Sequence, residues 1–188
     1  MPPLNHFDLL APIYDWLLRQ PGDDSLAEAA SLPIRGRLLD AGGGTGRMAA
    51  KLAPGAGSVV VADASLEMLR QARRKPGLLA VASRAERLPF PDGCYERVIL
   101  VDAYHHLESQ TDALADLWRV LAPGGRLVIE EPDIRLPAVR LIALAEKLAL
   151  MRSHFVLAER IAAGLAGLGA KTEIRRSGHT AWVIGEKD

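Results

Sequence analysis

The sequence predicts an α/β protein whose mostly parallel sheet is covered by helices on both faces. Short apolar segments of strand length alternate along the chain with helical segments, and Pro–Gly pairs separate several of them. A glycine-dense turn follows the first predicted strand, as in proteins that bind nucleotide-like ligands. The chain has 188 residues, of which 49% are hydrophobic and 24% charged. This is enough for one domain with a full core.

Each predicted element is bounded by residues that start or stop it. Asp24 and Ser65 are suited to cap helices, Gly169 suits a helix C-terminus, and Pro76-Gly77 and Pro123-Gly124-Gly125 end helices. The predicted strands are 37–40, 58–62, 78–82, 97–101, 126–130, 171–176 and 180–186, and the predicted helices are 4–20, 25–32, 45–52, 66–75, 111–121, 136–151 and 155–168.

Composition excludes several classes of protein. Lys plus Arg and Asp plus Glu each number 23, so the formal net charge is zero and no nucleic-acid partner is expected. The single cysteine, Cys94, excludes an internal disulfide framework, and no metal site is expected. No signal peptide is read at the start, and the most apolar helix, 136–151, carries charges that exclude a membrane span. We therefore expect a cytoplasmic protein.

The glycine turn is the most informative segment. A dinucleotide fingerprint would need a third glycine at Arg47, and no Gly-Lys-Ser/Thr of a P-loop is present. The pattern is D-x-G-x-G-x-G, which resembles the first motif of class I S-adenosylmethionine (SAM)-dependent methyltransferases. An ordinary tight strand-to-helix turn is the alternative. The resemblance implies that the cofactor is bound by Asp40, Gly42, Gly43, Gly44 and Gly46.

A second acidic residue, Asp63, ends the second predicted strand about twenty residues after the glycine turn. A carboxylate there is suited to accept hydrogen bonds from two ribose hydroxyls, although a plain helix cap is the alternative. By the same resemblance, an apolar wall against the adenosine would come from Ala64, Leu66 or Met68.

The segment 85–93, A-E-R-L-P-F-P-D-G, resembles small-molecule methyltransferases of the quinone-biosynthesis (methyltransferase type 11) family, and implies that Ala85 and Glu86 lie in the cofactor site. This family usually has an aspartate immediately before the Ala-Glu pair to bind the adenine amine. Here Arg84 stands in that place, and an arginine accepts no hydrogen bond. Adenine would then be recognised by backbone groups, by Ser83 or Glu86, or by packing alone.

The fourth predicted strand leads into Val101-Asp102-Ala103-Tyr104-His105-His106, where the family has a histidine pair or similar. By analogy, Val101 and Asp102 contact the cofactor. His106, His105 and Tyr104 are the candidate catalytic residues, histidine being preferred as a base because of its pKa. Alternatively, one histidine caps the following helix or packs under it. The segment 119–125, R-V-L-A-P-G-G, is a further family marker with a structural role.

The opening run 6–15 resembles the entry helix of quinone methyltransferases, which implies that Tyr14 lies over the cofactor. The acceptor pocket is expected from the N-terminal helices and residues 131–154. We expect one domain, with cap helices in 1–35, a SAM-binding core in 36–131, a short substrate-side insert in 132–155 and a final helix and hairpin in 156–188. Its oligomeric state is left as monomer or homodimer.

The predicted reaction is methyl transfer from SAM to a small-molecule acceptor, with S-adenosylhomocysteine as product and a phenol-like or quinol-like ring oxygen or carbon as the leading acceptor. One alternative is a non-catalytic, regulatory SAM-binding domain of the same fold. A more remote one is an NAD-dependent oxidoreductase.

Overall fold

A computed structural model describes residues 24–148 and 153–188, without the side chains of residues 142 and 145–148. Its centre is a seven-stranded sheet in the order β3-β2-β1-β4-β5-β7-β6. The predicted helix 4–20, and with it Tyr14, lies outside the described residues. The strands are β1 (Arg37–Ala41), β2 (Ser58–Asp63), β3 (Leu78–Ala82), β4 (Tyr95–Val101), β5 (Leu121–Pro132), β6 (Lys171–Ser177) and β7 (Thr180–Glu186).

Strands β1 to β5 run parallel, and β7 pairs antiparallel with both β5 and β6. The predicted fold class, including the antiparallel C-terminal hairpin, is therefore confirmed. The order reverses between β1 and β4, and ligands of open α/β sheets bind at such a switch point, beyond the carboxyl ends of the strands.

Six helices accompany the strands in the described residues. Four predicted starts differ by two residues or more: the helix after the glycine turn begins at Arg47 rather than Thr45, β4 at Tyr95 rather than 97, β5 at Leu121 rather than 126, and the last helix at Ala158 rather than 155. The helices are α1 (Ser25–Ala29), α2 (Arg47–Leu52), α3 (Leu66–Ala72), α4 (Gln110–Val120), α5 (Pro137–Leu148) and α6 (Ala158–Gly167), with 3-10 turns at Ala53–Gly55 and Tyr104–His106.

The central strands are buried on both faces, which explains why their sequences are continuous apolar runs rather than alternating ones. One face packs against α4 and α6, with Leu117, Trp118 and Leu165 in that core. The other packs against α1, α2 and α3. Helix α1 lies at the end of the sheet where the parallel strands begin. There the Arg97 side chain donates to the carbonyl of Ala30, the residue after α1, over 2.6 Å. The glycine turn lies at the opposite end of the sheet, where the parallel strands finish.

Candidate active site

The turn between β1 and α2 is built from glycines in left-handed backbone geometry. Gly42, Gly44 and Gly46 have φ values of 64°, 54° and 71°, a region that costs other residues energy. A Cβ at Gly46 would also lie 2.8 Å from a methyl carbon of Leu78. Glycine at this position lets α2 start directly against the sheet, and the N–H groups of Gly42 and Gly43 both donate to the carbonyl of Ala62 at the end of β2.

Asp63, at the end of β2, ties this turn to the neighbouring strand. One carboxylate oxygen accepts the N–H of Gly44 over 2.9 Å, and the other accepts the N–H of Ser65 over 2.7 Å. The cap of α3 itself is the Ser65 hydroxyl, which accepts the N–H of Met68 over 3.1 Å. Asp63 is thus fixed between the glycine turn and the start of α3, at the carboxyl end of β2.

Asp40 lies beneath the turn and is 1% exposed. Neither of its carboxylate oxygens has a hydrogen-bond partner of good geometry among the described residues. Burial raises the pKa of this carboxyl from 3.8 to about 7, and the backbone N–H of Ala49 offsets this only in part. A Cβ at Gly43 would lie 2.5 Å from the Asp40 carboxyl carbon, so glycine is required at position 43 beside this group.

The segment after β3 contains Arg84, whose guanidinium group forms ion pairs with two carboxylates. It contacts Glu86 over 3.3 Å and Glu108 over 2.7 Å. The Glu86 carboxylate also accepts the N–H of Glu108 over 3.0 Å and that of Ser109 over 3.4 Å. Glu86 therefore joins this segment to the start of α4. The Ser83 hydroxyl is buried with no hydrogen-bond partner among the described residues.

The carboxyl ends of β4 and β5 bring a histidine and a glutamate together. The Nδ1 atom of His105 lies 2.5 Å from one carboxylate oxygen of Glu131, and the other oxygen accepts the N–H of Tyr104 over 2.8 Å. His105 is buried, and its ring stacks on Phe155 with centroids 4.1 Å apart. This pairing holds the imidazole in one orientation, and the carboxylate stabilises its protonated form.

His106 has a different environment. Its ring lies 4.0 Å from that of His105, and its Nδ1 atom is 3.3 Å from the Ser153 hydroxyl. The pKa of His106 is lowered to about 4, mainly by burial and to a smaller extent by the charge of His105. Its imidazole is therefore neutral at neutral pH and is a weak proton acceptor.

Asp102 joins β4 to the 3-10 turn with a φ of 50°, which is unusual for a residue other than glycine. Its N–H is accepted by the Glu130 carbonyl over 3.0 Å. Burial, followed by the nearby Glu131 charge, raises the pKa of the Asp102 carboxyl. Asp102 and Asp63 thus lie at the carboxyl ends of β4 and β2, the strands on either side of β1, with Asp40 buried beneath the turn between them.

The structure thus places most of the predicted residues together at one end of the sheet. Tyr104 differs, because it is a member of the hydrophobic core beneath α4 and α6. The alternative in which a histidine caps α4 is wrong, because the Ser109 hydroxyl accepts the N–H of Asp112 over 3.3 Å. Ala64 is exposed and Met68 buried at the start of α3, so the expected adenosine wall stays a prediction.

Glu131 was predicted only as the first residue of the acceptor-pocket segment 131–154, with no role of its own. The signal was available, because the acidic pair Glu130-Glu131 ends the strand that follows β4, and parallel strands bring such ends together. In the described part of the chain, no cluster of three potential metal-ligating side chains occurs. Nor does any helix there have both the length and the apolarity to cross a membrane.

Comparison with known proteins identifies the fold. Residues 39–129 match the family model described as a methyltransferase domain. The chain is 37% identical over 133 residues to the demethylmenaquinone methyltransferase of Beutenbergia cavernae, which covers 66% of this chain and 55% of that protein. It is 38% identical over 105 residues to the ubiquinone/menaquinone biosynthesis C-methyltransferase UbiE of Erwinia tasmaniensis, covering 50% and 42%.

Residues 39–129 therefore form a methyltransferase domain with the class I SAM-dependent fold. A SAM-dependent methyltransferase of Thermotoga maritima has the same fold, with a TM-score of 0.81, 21% identity and coverage of 97% of this chain and 98% of that one. The chain spans about half the length of the two curated relatives. The cofactor of such domains is SAM, and the residues present fit it: the turn at Gly44 has no side chain and leaves room for a ligand, and the carboxylates of Asp63 and Asp102 at the strand ends suit its hydroxyls and its positive charges.

Proposed function

We propose that this protein transfers the methyl group of SAM to a small-molecule acceptor, with a phenol-like or quinol-like ring oxygen or carbon as the leading candidate. The observation that supports this most is the meeting of two groups at one end of the sheet: the glycine turn held by Asp63, and the His105–Glu131 pair. The first group is suited to a nucleoside, and the second to removal of a proton. The names of the two curated relatives favour a quinol-type acceptor.

The protein's own contribution begins with binding and orientation. The bound cofactor supplies an already activated methyl group. The backbone of the glycine turn and the Asp63 carboxylate hold the nucleoside end, while Asp40 and Asp102 favour the positively charged end. Alignment of donor and acceptor alone can lower a barrier by roughly 7–11 kcal/mol, so positioning is the main task of these residues.

In this proposal the proton acceptor is His105. The Glu131 carboxylate accepts a hydrogen bond from the protonated Nδ1 of His105. The lone pair of the neutral imidazole is therefore on Nε2. When Nε2 takes the proton of a phenol or quinol hydroxyl, the Glu131 carboxylate stabilises the resulting imidazolium. General-base help of this kind contributes about 10²–10⁴-fold. His106, with its pKa of about 4, stays neutral beside His105.

The test is turnover of methyl-labelled SAM against a panel of phenols, hydroquinones and amines. We expect labelled product with at least one hydroquinone or phenol, and a large loss of turnover in His105→Asn with retained binding of S-adenosylhomocysteine. If only the amines of the panel became methylated, the proposed acceptor class would be wrong. Unchanged turnover in His105→Asn would overturn the role of that residue.

A regulatory SAM-binding domain is the second candidate, and a specific observation favours it. The position where related enzymes have an acid for adenine is occupied by Arg84, whose cation is already held by Glu86 and Glu108. This function predicts binding of S-adenosylhomocysteine with no turnover of any acceptor in the panel. Product formation in the same assay excludes it.

A further inference from the structure

A cleft lies between α4 and α6, on the face of the sheet that those helices cover. Its volume is about 350 Å³, within the lower range of small-molecule sites. Four of its lining residues recur at every fourth position along α6 and its flanks, so the cleft follows one ridge of that helix. The lining residues used below are Tyr104, Leu114, Ala115, Arg160, Gly164 and Leu168.

The cleft is open because small residues line it. Gly164 has no side chain, and a Cβ there would lie 2.8 Å from a methyl carbon of Leu114. Ala115, on the facing helix, is exposed and short. Larger residues at these two positions would fill the space, so the sequence of both helices keeps the cleft open.

One charged group stands at this apolar cleft. Arg160 is exposed, and among the side chains that the structure describes no carboxylate forms an ion pair with it. The neighbouring Glu159 is instead paired with Arg176. A guanidinium beside Leu114 and Leu168 suits a ligand with an apolar body and one carboxylate, since Arg binds carboxylates in a bidentate manner.

The cleft also adjoins the candidate active site. Tyr104 lines it and belongs to the same 3-10 turn as His105. The side-chain amide of Gln110, at the start of α4, donates to the Tyr104 carbonyl over 3.2 Å and to the His154 carbonyl over 2.8 Å. A ligand in the cleft would therefore touch the back of the turn that carries the histidines.

We propose that the cleft between α4 and α6 is a second ligand site, separate from the cofactor crevice, that binds a small apolar carboxylate through Arg160 with its apolar body against Leu114 and Leu168. This assignment does not depend on the proposed methyl transfer.

The probe is 2-naphthoate, with neutral 2-naphthamide for comparison, titrated calorimetrically into the protein with and without saturating S-adenosylhomocysteine. We expect naphthoate to bind in both cases and the amide about tenfold more weakly. Arg160→Gln should reduce naphthoate affinity to that of the amide. Ala115→Leu should abolish binding of both, whereas Ala163→Leu, also exposed but outside the cleft, should leave it unchanged.

Three results would overturn the proposal: no naphthoate binding at millimolar concentration, equal affinity in Ala115→Leu and Ala163→Leu, or displacement of naphthoate by S-adenosylhomocysteine. Circular dichroism of each variant verifies folding. Binding of S-adenosylhomocysteine, measured on the same samples, tests the cofactor site separately, so that a failure of one site does not count against the other.

Discussion

Single carboxylates determine most of the chemistry of the candidate site. Asp63 accepts two backbone N–H groups, Glu131 accepts from Tyr104 and faces His105, and Asp40 is buried without such partners among the described residues. Asp40 and Asp63 could be found from the sequence, because each follows an apolar run next to a turn. For Glu131 the sequence shows only that it lies near the end of the strand after β4; its contact with His105, 26 positions away, is set by the pairing of the two strands.

Glu131→Gln tests the proton acceptor. The amide retains an oxygen for the Tyr104 N–H but presents an N–H to Nδ1 of His105, which moves the imidazole proton to Nε2. We expect turnover to fall at least about tenfold with little change in the KM for SAM. The matched control is Glu173→Gln, which removes an exposed ion pair with Arg175. Equal turnover in the two variants would contradict the assignment.

Asp40→Asn tests the buried carboxyl through the pH dependence of stability. The folded-state pKa, about 7, lies above the ordinary value of 3.8, so the folded protein binds this proton more tightly than the unfolded chain does. The stability gained from it is present in acid and is lost as the pH rises through 7.

In thermal melts without ligand at about pH 8, Asp40→Asn should therefore melt above the wild type, and the difference should shrink as the pH falls towards 5. Asp92→Asn, at an exposed site, serves as the control. A difference that does not change with pH would show that the carboxyl is charged throughout.

At the scale of elements, the turn between β1 and α2 is the part that the sequence predicted best. Its glycine spacing has a direct cause in the three positive φ values. The bounds of β5 were predicted less well, because Pro123-Gly124-Gly125 was interpreted as a turn alone. In the structure the Gly124 N–H donates to the Lys187 carbonyl over 2.8 Å, and Leu121 pairs with Tyr95 across a register shift. Such long-range pairing has no local signal.

Gly44→Ala and Gly77→Ala form a matched pair for this turn. Both glycines have positive φ, 54° and 77°, and a Cβ would meet nothing closer than 3.9 Å at either position. Each substitution should cost about 1 kcal/mol of unfolding free energy from backbone strain. Only Gly44→Ala should weaken binding of S-adenosylhomocysteine, about tenfold, because its methyl group stands in the crevice. Equal affinity in the two variants would place the ligand elsewhere.

At the scale of the whole molecule, the parallel part of the sheet follows from the alternation of strands and helices, whereas the order of the strands, with its reversal between β1 and β4, was not predicted. The reversal of β7 was expected only from the resemblance to methyltransferases, since an apolar strand has the same pattern in either direction. The formal net charge is zero, yet several acidic side chains lie near one another at the carboxyl ends of the parallel strands. That local concentration distinguishes a site for a cationic nucleoside from one for a pyrophosphate.

The most direct test of this account is calorimetric titration of the purified protein with S-adenosylhomocysteine and, separately, with NAD. We predict one binding site for S-adenosylhomocysteine with micromolar affinity, weakened at least about tenfold in Asp63→Asn, and no binding of NAD. Absence of S-adenosylhomocysteine binding at millimolar concentration, or binding of NAD in its place, would contradict it.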